Sequence, residues 1–383
     1  MKKLLAIILA LTLTLGLLVS CAGDTTDETP TPTQPSDVTG TPDETGGDSE
    51  PVSFIDSAGR EVELPASITR ISPSGALAQM FLIAIAPDLL VTVASDYSEA
   101  DAKFVPQEVI SLPIVGQFYG SDDLNYESIA AIGTQLVIDV GEPKNTIVED
   151  MDSITANLAI PAVHITATLD STPEAFRTLG KILGREEKGE ALAQFCEKTL
   201  TRTDMIMDAV GDDKTTVLYL LGDAGLNVLA KTSFHSEVLD KLTDNLAVVD
   251  SPSSRGTGNE TDMEQISLWN PEVIFFAPGS VYSEVAEDPV WSHLDAIKNG
   301  KYYEVPQGPY NWMGSPPSIN RYLGMIWMTQ LLYLDVAEVN FYEEVREYYS
   351  LFYGYDLTAD ELYALVENSP DAMIYSGIED PAQ

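Results

Sequence analysis

Two stretches of this chain repeat one another. NYESIAAIGTQLVIDVG (125–141) lies on DMEQISLWNPEVIFFAPG (262–279) without a gap through the strand. Glu127 falls on Glu264, Ile129 on Ile266, Ile132 on Trp269, Thr134 on Pro271, and Leu136-Val137-Ile138 on Val273-Ile274-Phe275. Each stretch reads as a short helix, a turn and a buried β-branched strand. Apolar matches alone would arise between any two such units. The shared acid, equally far ahead of both strands, indicates a duplicated lobe. A chain of 383 residues has room for two lobes of ordinary size.

The surrounding pattern agrees. FIDSAGREVELP carries a central Ala-Gly turn and reads as a hairpin. RISPSG reads as a strand and turn, followed by a helix from about Ala76 to Ile85. LLVTVAS (89–95), LVIDV (136–140) and AVHIT (162–166) are further predicted strands. No strand signal occurs from Ser171 to about Val210. Phe176, Leu179, Ile182 and Leu183 keep helical spacing there, with Pro173 in the first turn, and Ala191, Leu192 and Phe195 continue it. Alternation then resumes with TVLYLLG (216–222), LAVVD (246–250), VIFFA (273–277) and YYEVP (302–306). The expected fold is α/β: an N-terminal lobe (52–170), a single long linking helix (171–210), a C-terminal lobe (214–345) and a helical tail (346–383). Thr358 to Glu361 reads as a capping box within that tail.

The first 21 residues read as a targeting segment. Lys2 and Lys3 precede an apolar run, Leu4 to Val19, which ends in Leu18-Val19-Ser20-Cys21. That ending resembles a lipobox, with Cys21 as the lipidated residue. Residues 22–50 hold no Lys or Arg and are rich in Thr, Pro, Asp, Glu and Gly, the composition of a disordered acidic tether. Cys196 is the second of two cysteines and reads as a packing residue in a helix. Sixty acids against twenty bases give a formal charge of −40, which excludes nucleic acid as a partner and restricts membrane association to the lipid anchor.

The lipobox, the tether, FIDSAGREVELP-x-x-I-x-R-I and the paired Glu-x-Ile unit together resemble the substrate-binding lipoproteins of ABC importers, of the class that takes iron–siderophores, haem and cobalamin. The resemblance implies two Rossmann-like lobes joined by one helix, with the ligand in the cleft between them. It implies a monomer lipid-anchored outside the cell membrane that delivers a metal chelate or corrinoid to a permease dimer and its ATPase. A ferric siderophore is the first expectation; cobalamin, haem, or molybdate or tungstate are alternatives. It assigns Glu127 and Glu264 to permease docking, where bidentate Arg–carboxylate contacts suit two-point engagement. Thr261-Asp262-Met263-Glu264 also reads as a capping box, which Glu127, with Leu124 three residues before it, lacks.

Ligands of open α/β sheets lie beyond the carboxyl ends of strands. The candidates there are Ser74, Gly75, Phe118, Tyr119, Phe234, His235, Tyr310, Asn311 and Trp312. Ser74 reads equally as an N-cap, and Trp312 as a loop residue rather than core. Arg255 and Arg321 are among the few bases of the second half and read either as partners of an anionic ligand group or as surface ion pairs. His164, His235 and His293 lack metal-ligand spacing, so no bare metal site and no cofactor is expected. No hydrolase or phosphate-loop motif is present, and no enzymatic activity is expected. A tethered surface hydrolase and a ligand-sensing lipoprotein are the rival readings from other classes.

Overall fold

The computed structural model describes residues 50–369 apart from residue 338. Cys21, the targeting segment, all but the last residue of the tether and the tail beyond 369 lie outside the described residues.

Strands β1 (Val52–Ile55) and β2 (Glu61–Leu64) form the expected antiparallel hairpin, with Val52 opposite Leu64. Asp56 builds its turn: Oδ1 accepts from the Ala58 and Arg60 amides at 3.0 and 2.9 Å, and Gly59 takes φ +78°. Arg60 then fastens the hairpin to the N-terminal lobe by donating to the Ala162 carbonyl at 2.9 Å.

The N-terminal lobe is a parallel sheet in the order β3 (Ile71–Pro73), β4 (Leu136–Gly141), β5 (Ala162–Thr166). Helices α1 (Ala76–Ile85), α2 (Tyr126–Ile132) and α3 (Ile147–Leu158) pack on it. The strand expected over 89–95 does not form. Leu90 bridges Ile71 and Val93 bridges Ile114, so this segment crosses from one neighbour to the next without a run of pairs.

The linking segment also departs from expectation. Instead of one helix over 171–210 there are two, α4 (Thr172–Leu183) and α5 (Glu186–Val210), turned back on each other at Gly184, φ +62°. Arg177 on α4 pairs with both Glu190 and Glu197 on α5. The 25 residues of α5 extend over roughly 37 Å.

In the C-terminal lobe the order is β11 (Tyr302–Glu304), β10 (Val273–Phe276), β6 (Thr216–Leu221), β7 (Asn227–Val228), β9 (Asn259–Glu260), and β8 (Asp244–Asn245) also pairs with β6. Pairings of β6 with β8 and β10, and of β10 with β11, are parallel; β7 is antiparallel to β6. The strand expected over 246–250 lies instead at 244–245. The Asn245 side-chain oxygen accepts from the Ala247 amide at 3.1 Å and turns the chain off the sheet, leaving Val248 exposed. Helices α6 (Glu237–Leu242), α7 (Met263–Trp269) and α8 (Arg321–Leu332) belong to this lobe; α9 (Phe341–Tyr353) and α10 (Ala359–Leu365) form the tail. The Thr358–Glu361 capping box starts α10, as the sequence predicts.

Alternation sorts the two sheets into layers. Val217, Tyr219 and Leu221 of β6 and Val273 and Phe275 of β10 enter one core with α1, α4, α5, α8 and α9. Leu218, Leu220, Ile274 and Phe276 face a second core beneath α7. In the N-terminal lobe Leu136, Ile138, Val163 and Ile165 join the first core, while Val137 and Ala162 pack beneath α2 and α3. The faces that carry α2 and α7 are therefore equivalent outer faces of two similar lobes.

Candidate functional site

Helices α2 and α7 are local copies. Each has seven residues. The Asn125 side chain caps α2 by accepting from the Ser128 amide at 2.9 Å, and the Asp262 side chain caps α7 by accepting from the Gln265 amide at 2.8 Å. Each ends in a left-handed residue, Gly133 (φ +80°) or Asn270 (φ +38°). Ile129 and Ile266 are fully buried anchors. Glu127 and Glu264 occupy the same helical position and are exposed, and neither makes a side-chain hydrogen bond or ion pair among the described residues. The cap of α7 is Asp262, so the alternative in which Thr261 and Glu264 form a capping box is not realised.

Between the lobes lies an open depression of about 360 Å³. Glu142 and Thr168–Asp170 contribute its N-terminal wall, directly after β4 and β5. Thr232, Ser233, Phe234 and the α6 residues Glu237, Asp240 and Lys241 contribute the opposite wall. Glu237 joins the two lobes: it accepts from the Leu169 amide at 3.2 Å and pairs with Arg321. Burial holds its carboxyl above the usual range, outweighing the Arg321 charge that acts the other way. Asp240 is consumed structurally, accepting from the Thr232 amide, the Ser236 hydroxyl and the Asn245 carboxamide.

Of the residues singled out from the sequence, only Phe234 lines this depression. Ser74 is buried and donates to Asp139, whose other oxygen meets His164 Nδ1 at 2.7 Å; Gly75, not Ser74, is the N-cap of α1. Gly75 lies under Gln117, whose Cβ would be 3.2 Å from an added Cβ. Phe118 and Tyr119 meet edge to face at 5.0 Å, and the Tyr119 hydroxyl is held by Asp150 at 2.7 Å. His235 is clamped, with Nδ1 2.7 Å from the Gly314 carbonyl and Nε2 3.3 Å from that of Ser254. Tyr310 meets Tyr97 of the other lobe hydroxyl to hydroxyl. Asn311 is buried and accepts from Tyr219 and the Met313 and Ser315 backbone. Trp312, expected in an open loop, is fully buried. Arg321, read as a ligand base or a surface ion pair, is an ion pair, but a buried one: it is 2% exposed, bound to Glu237 and stacked 5.0 Å from the Phe234 ring. Arg255 is exposed.

The sequence reading missed Glu142, Thr168, Asp170 and Glu237. A signal for the first three was available: they follow predicted strands at their carboxyl ends. No group of three or more His, Cys, Asp or Glu side chains able to hold a metal ion occurs among the described residues. The depression offers hydroxyls, carboxylates and one half-buried aromatic ring, which suit an organic ligand with polar edges.

A family model described as periplasmic binding protein matches residues 96–309. This chain belongs to the periplasmic binding protein family. The family is one of extracytoplasmic binding proteins, not of enzymes. An ABC transporter solute binding protein from Sulfurospirillum deleyianum DSM 6946 is 30% identical, with a TM-score of 0.76 over 82% of this chain and 99% of that one. The Fe(3+)-citrate-binding protein YfmC of Bacillus subtilis is 23% identical over 185 residues, 47% of this chain and 56% of that protein. YhfQ of the same organism, named as a candidate ABC transporter substrate-binding lipoprotein, is 24% identical over 51% of this chain and 64% of its own length. This chain thus spans less than two thirds of these curated relatives. No helix among the described residues is long and apolar enough to cross a membrane.

Proposed function

We propose that this periplasmic binding protein is the substrate-binding component of an ABC importer, held to the outer face of the membrane through Cys21. It captures a ferric chelate of the siderophore or citrate type and presents it to a permease dimer through Glu127 and Glu264. The observation that carries the reading is the duplication of α2 and α7, each with an exposed carboxylate at the same position that makes no hydrogen bond or ion pair among the described residues. An acid held in that way on each of two lobes fits a two-fold partner with a basic contact in each half. The relative that binds ferric citrate supports iron as the cargo, and a chelated metal needs no cluster of protein ligands.

Glu127→Arg combined with Glu264→Arg should reduce uptake of ⁵⁵Fe supplied as ferric citrate by at least tenfold. Affinity, read from tryptophan fluorescence during titration with ferric citrate, ferric siderophores, haem, cobalamin and molybdate, should stay within about twofold of the parent chain. Uptake at the parental rate in the double variant would refute the docking assignment. Tight binding of molybdate or cobalamin without any response to ferric chelates would refute the cargo.

A further inference from the structure

The two docking helices share their length, a side-chain N-cap, a buried isoleucine and a left-handed end, yet they differ in what stands beside the acid. Four residues after Glu264, one turn along the same face of α7, is Leu268. Its side chain is 73% exposed, the most exposed large apolar side chain among the described residues. The equivalent residue on α2, four after Glu127, is Ala131. A lone exposed leucine is ordinary on a protein surface. What distinguishes this one is its position, on the helix duplicated between the lobes and next to a carboxylate that makes no hydrogen bond or ion pair among the described residues.

We propose that Leu268 and Glu264 form a single contact. The acid pairs with a basic side chain of one permease subunit, and the leucine seats against an apolar wall beside it. The α2 half-site, with only an alanine there, makes the charge contact alone. Docking is then polarised, with the C-terminal lobe holding more tightly than the N-terminal lobe. This rests on the docking role given above to Glu127 and Glu264. Charge argues for the occupant: a chain of net charge −40 is drawn to a basic partner surface and repelled by an acidic one. A leucine adds affinity only where that partner is also apolar.

The test uses proteoliposomes containing the importer and the full-length binding protein, reading the protein concentration that half-maximally stimulates ATP hydrolysis. Leu268→Ala should raise that concentration about tenfold, the size expected for losing most of a buried leucine side chain. Alanine favours helix, so α7 should persist. Ala131→Leu should have less than a twofold effect, and Leu268→Met, which keeps an apolar side chain of similar volume, should restore most of the loss. If Leu268→Ala leaves the concentration unchanged while the double Glu→Arg variant abolishes stimulation, polarised docking is wrong and two-point docking survives. If the double Glu→Arg variant stimulates normally, both fall together. Equal effects of Leu268→Ala and Ala131→Leu would also overturn the polarity.

Discussion

His235 shows how one side chain can be fixed by its surroundings rather than reserved for a ligand. Both ring nitrogens face backbone carbonyls, Gly314 at 2.7 Å and Ser254 at 3.3 Å. A neutral imidazole can donate to only one of them, and the shorter contact marks Nδ1 as the donor. Burial disfavours the charged ring and lowers its pKa below the usual histidine value; the two carbonyls oppose this more weakly, with Lys144 adding to the depression and Glu142 countering it. A basic group depressed in the folded state contributes stability above its unfolded pKa, about 6.5, and loses that contribution as pH falls through the folded value. Urea midpoints at pH 7.5 and pH 5 should therefore fall further in the parent chain than in His235→Asn, which keeps a donor for Gly314 without a titrating ring. Equal falls in the two proteins would show that the ring charges freely in the fold. The sequence made His235 a candidate for the cleft and could not reveal this clamp, which keeps it off the lining of the depression. Gly314 is 79 residues away, and its carbonyl reaches the ring only after β11 and the loop behind it have folded back.

At the scale of elements the glycines of the linking hairpin decide how closely α4 and α5 approach. Gly189 lies inside α5, where alanine would normally add up to about 1 kcal/mol of helix stability. An added Cβ would, however, stand 2.6 Å from the Phe176 backbone oxygen. Backbone cannot swing aside as a side-chain end can, so the helices would have to separate, at a cost of about 1–3 kcal/mol. The clash outweighs the propensity. Gly189→Ala should be less stable than the parent by about 1–2 kcal/mol in urea denaturation, and a gain in stability would refute the close approach. The break between α4 and α5 was only partly legible. Gly184 and Gly189 stood in the sequence as a glycine-rich interruption, but apolar spacing continued on both sides, and periodicity does not reveal that a helix has reversed direction. The hairpin of β1 and β2, the strands β3 to β5 and the turn into α1 were legible because each combines a local turn signal with an uninterrupted apolar run. The segments at 89–95 and 246–250 were misread for the opposite reason: their valines and leucines satisfy strand composition while their backbone groups bond to changing neighbours.

Across the whole molecule, the two lobes share an interior. The core formed by α1, β3, β4 and β5 runs without interruption into β6, β10, α8 and α9. Phe104 of the N-terminal lobe packs edge-on against Tyr349 and Tyr355 of the tail, with ring centroids 5.1 Å apart in both cases. Nearby, Gln79 fixes Tyr97 for its contact with Tyr310: its oxygen accepts from the Ala94 and Ser95 amides, so its nitrogen must donate to the Tyr97 hydroxyl, at 2.7 Å. Burial pushes the Tyr97 hydroxyl up to about 12, keeping it a neutral donor and acceptor at any physiological pH. Asn320 gathers the Tyr348 and Tyr353 hydroxyls from α9 while donating to the Tyr310 carbonyl at 2.8 Å. The tail, for which the sequence suggested no role beyond a short helix, is thus a second strap between lobes already joined by α5. Two domains with separate cores would unfold in separate steps; a shared core predicts one. The four tryptophans, at 269, 291, 312 and 327, all lie in the C-terminal lobe, so their fluorescence reports on that lobe alone, whereas far-UV circular dichroism reports on both. The two signals should give the same urea midpoint. Met151→Ala, a change confined to the N-terminal lobe, should move both midpoints down together by the equivalent of about 3 kcal/mol. If the tryptophan signal kept its parental midpoint while the dichroism signal shifted, the lobes would be energetically separate and the tail would not couple them.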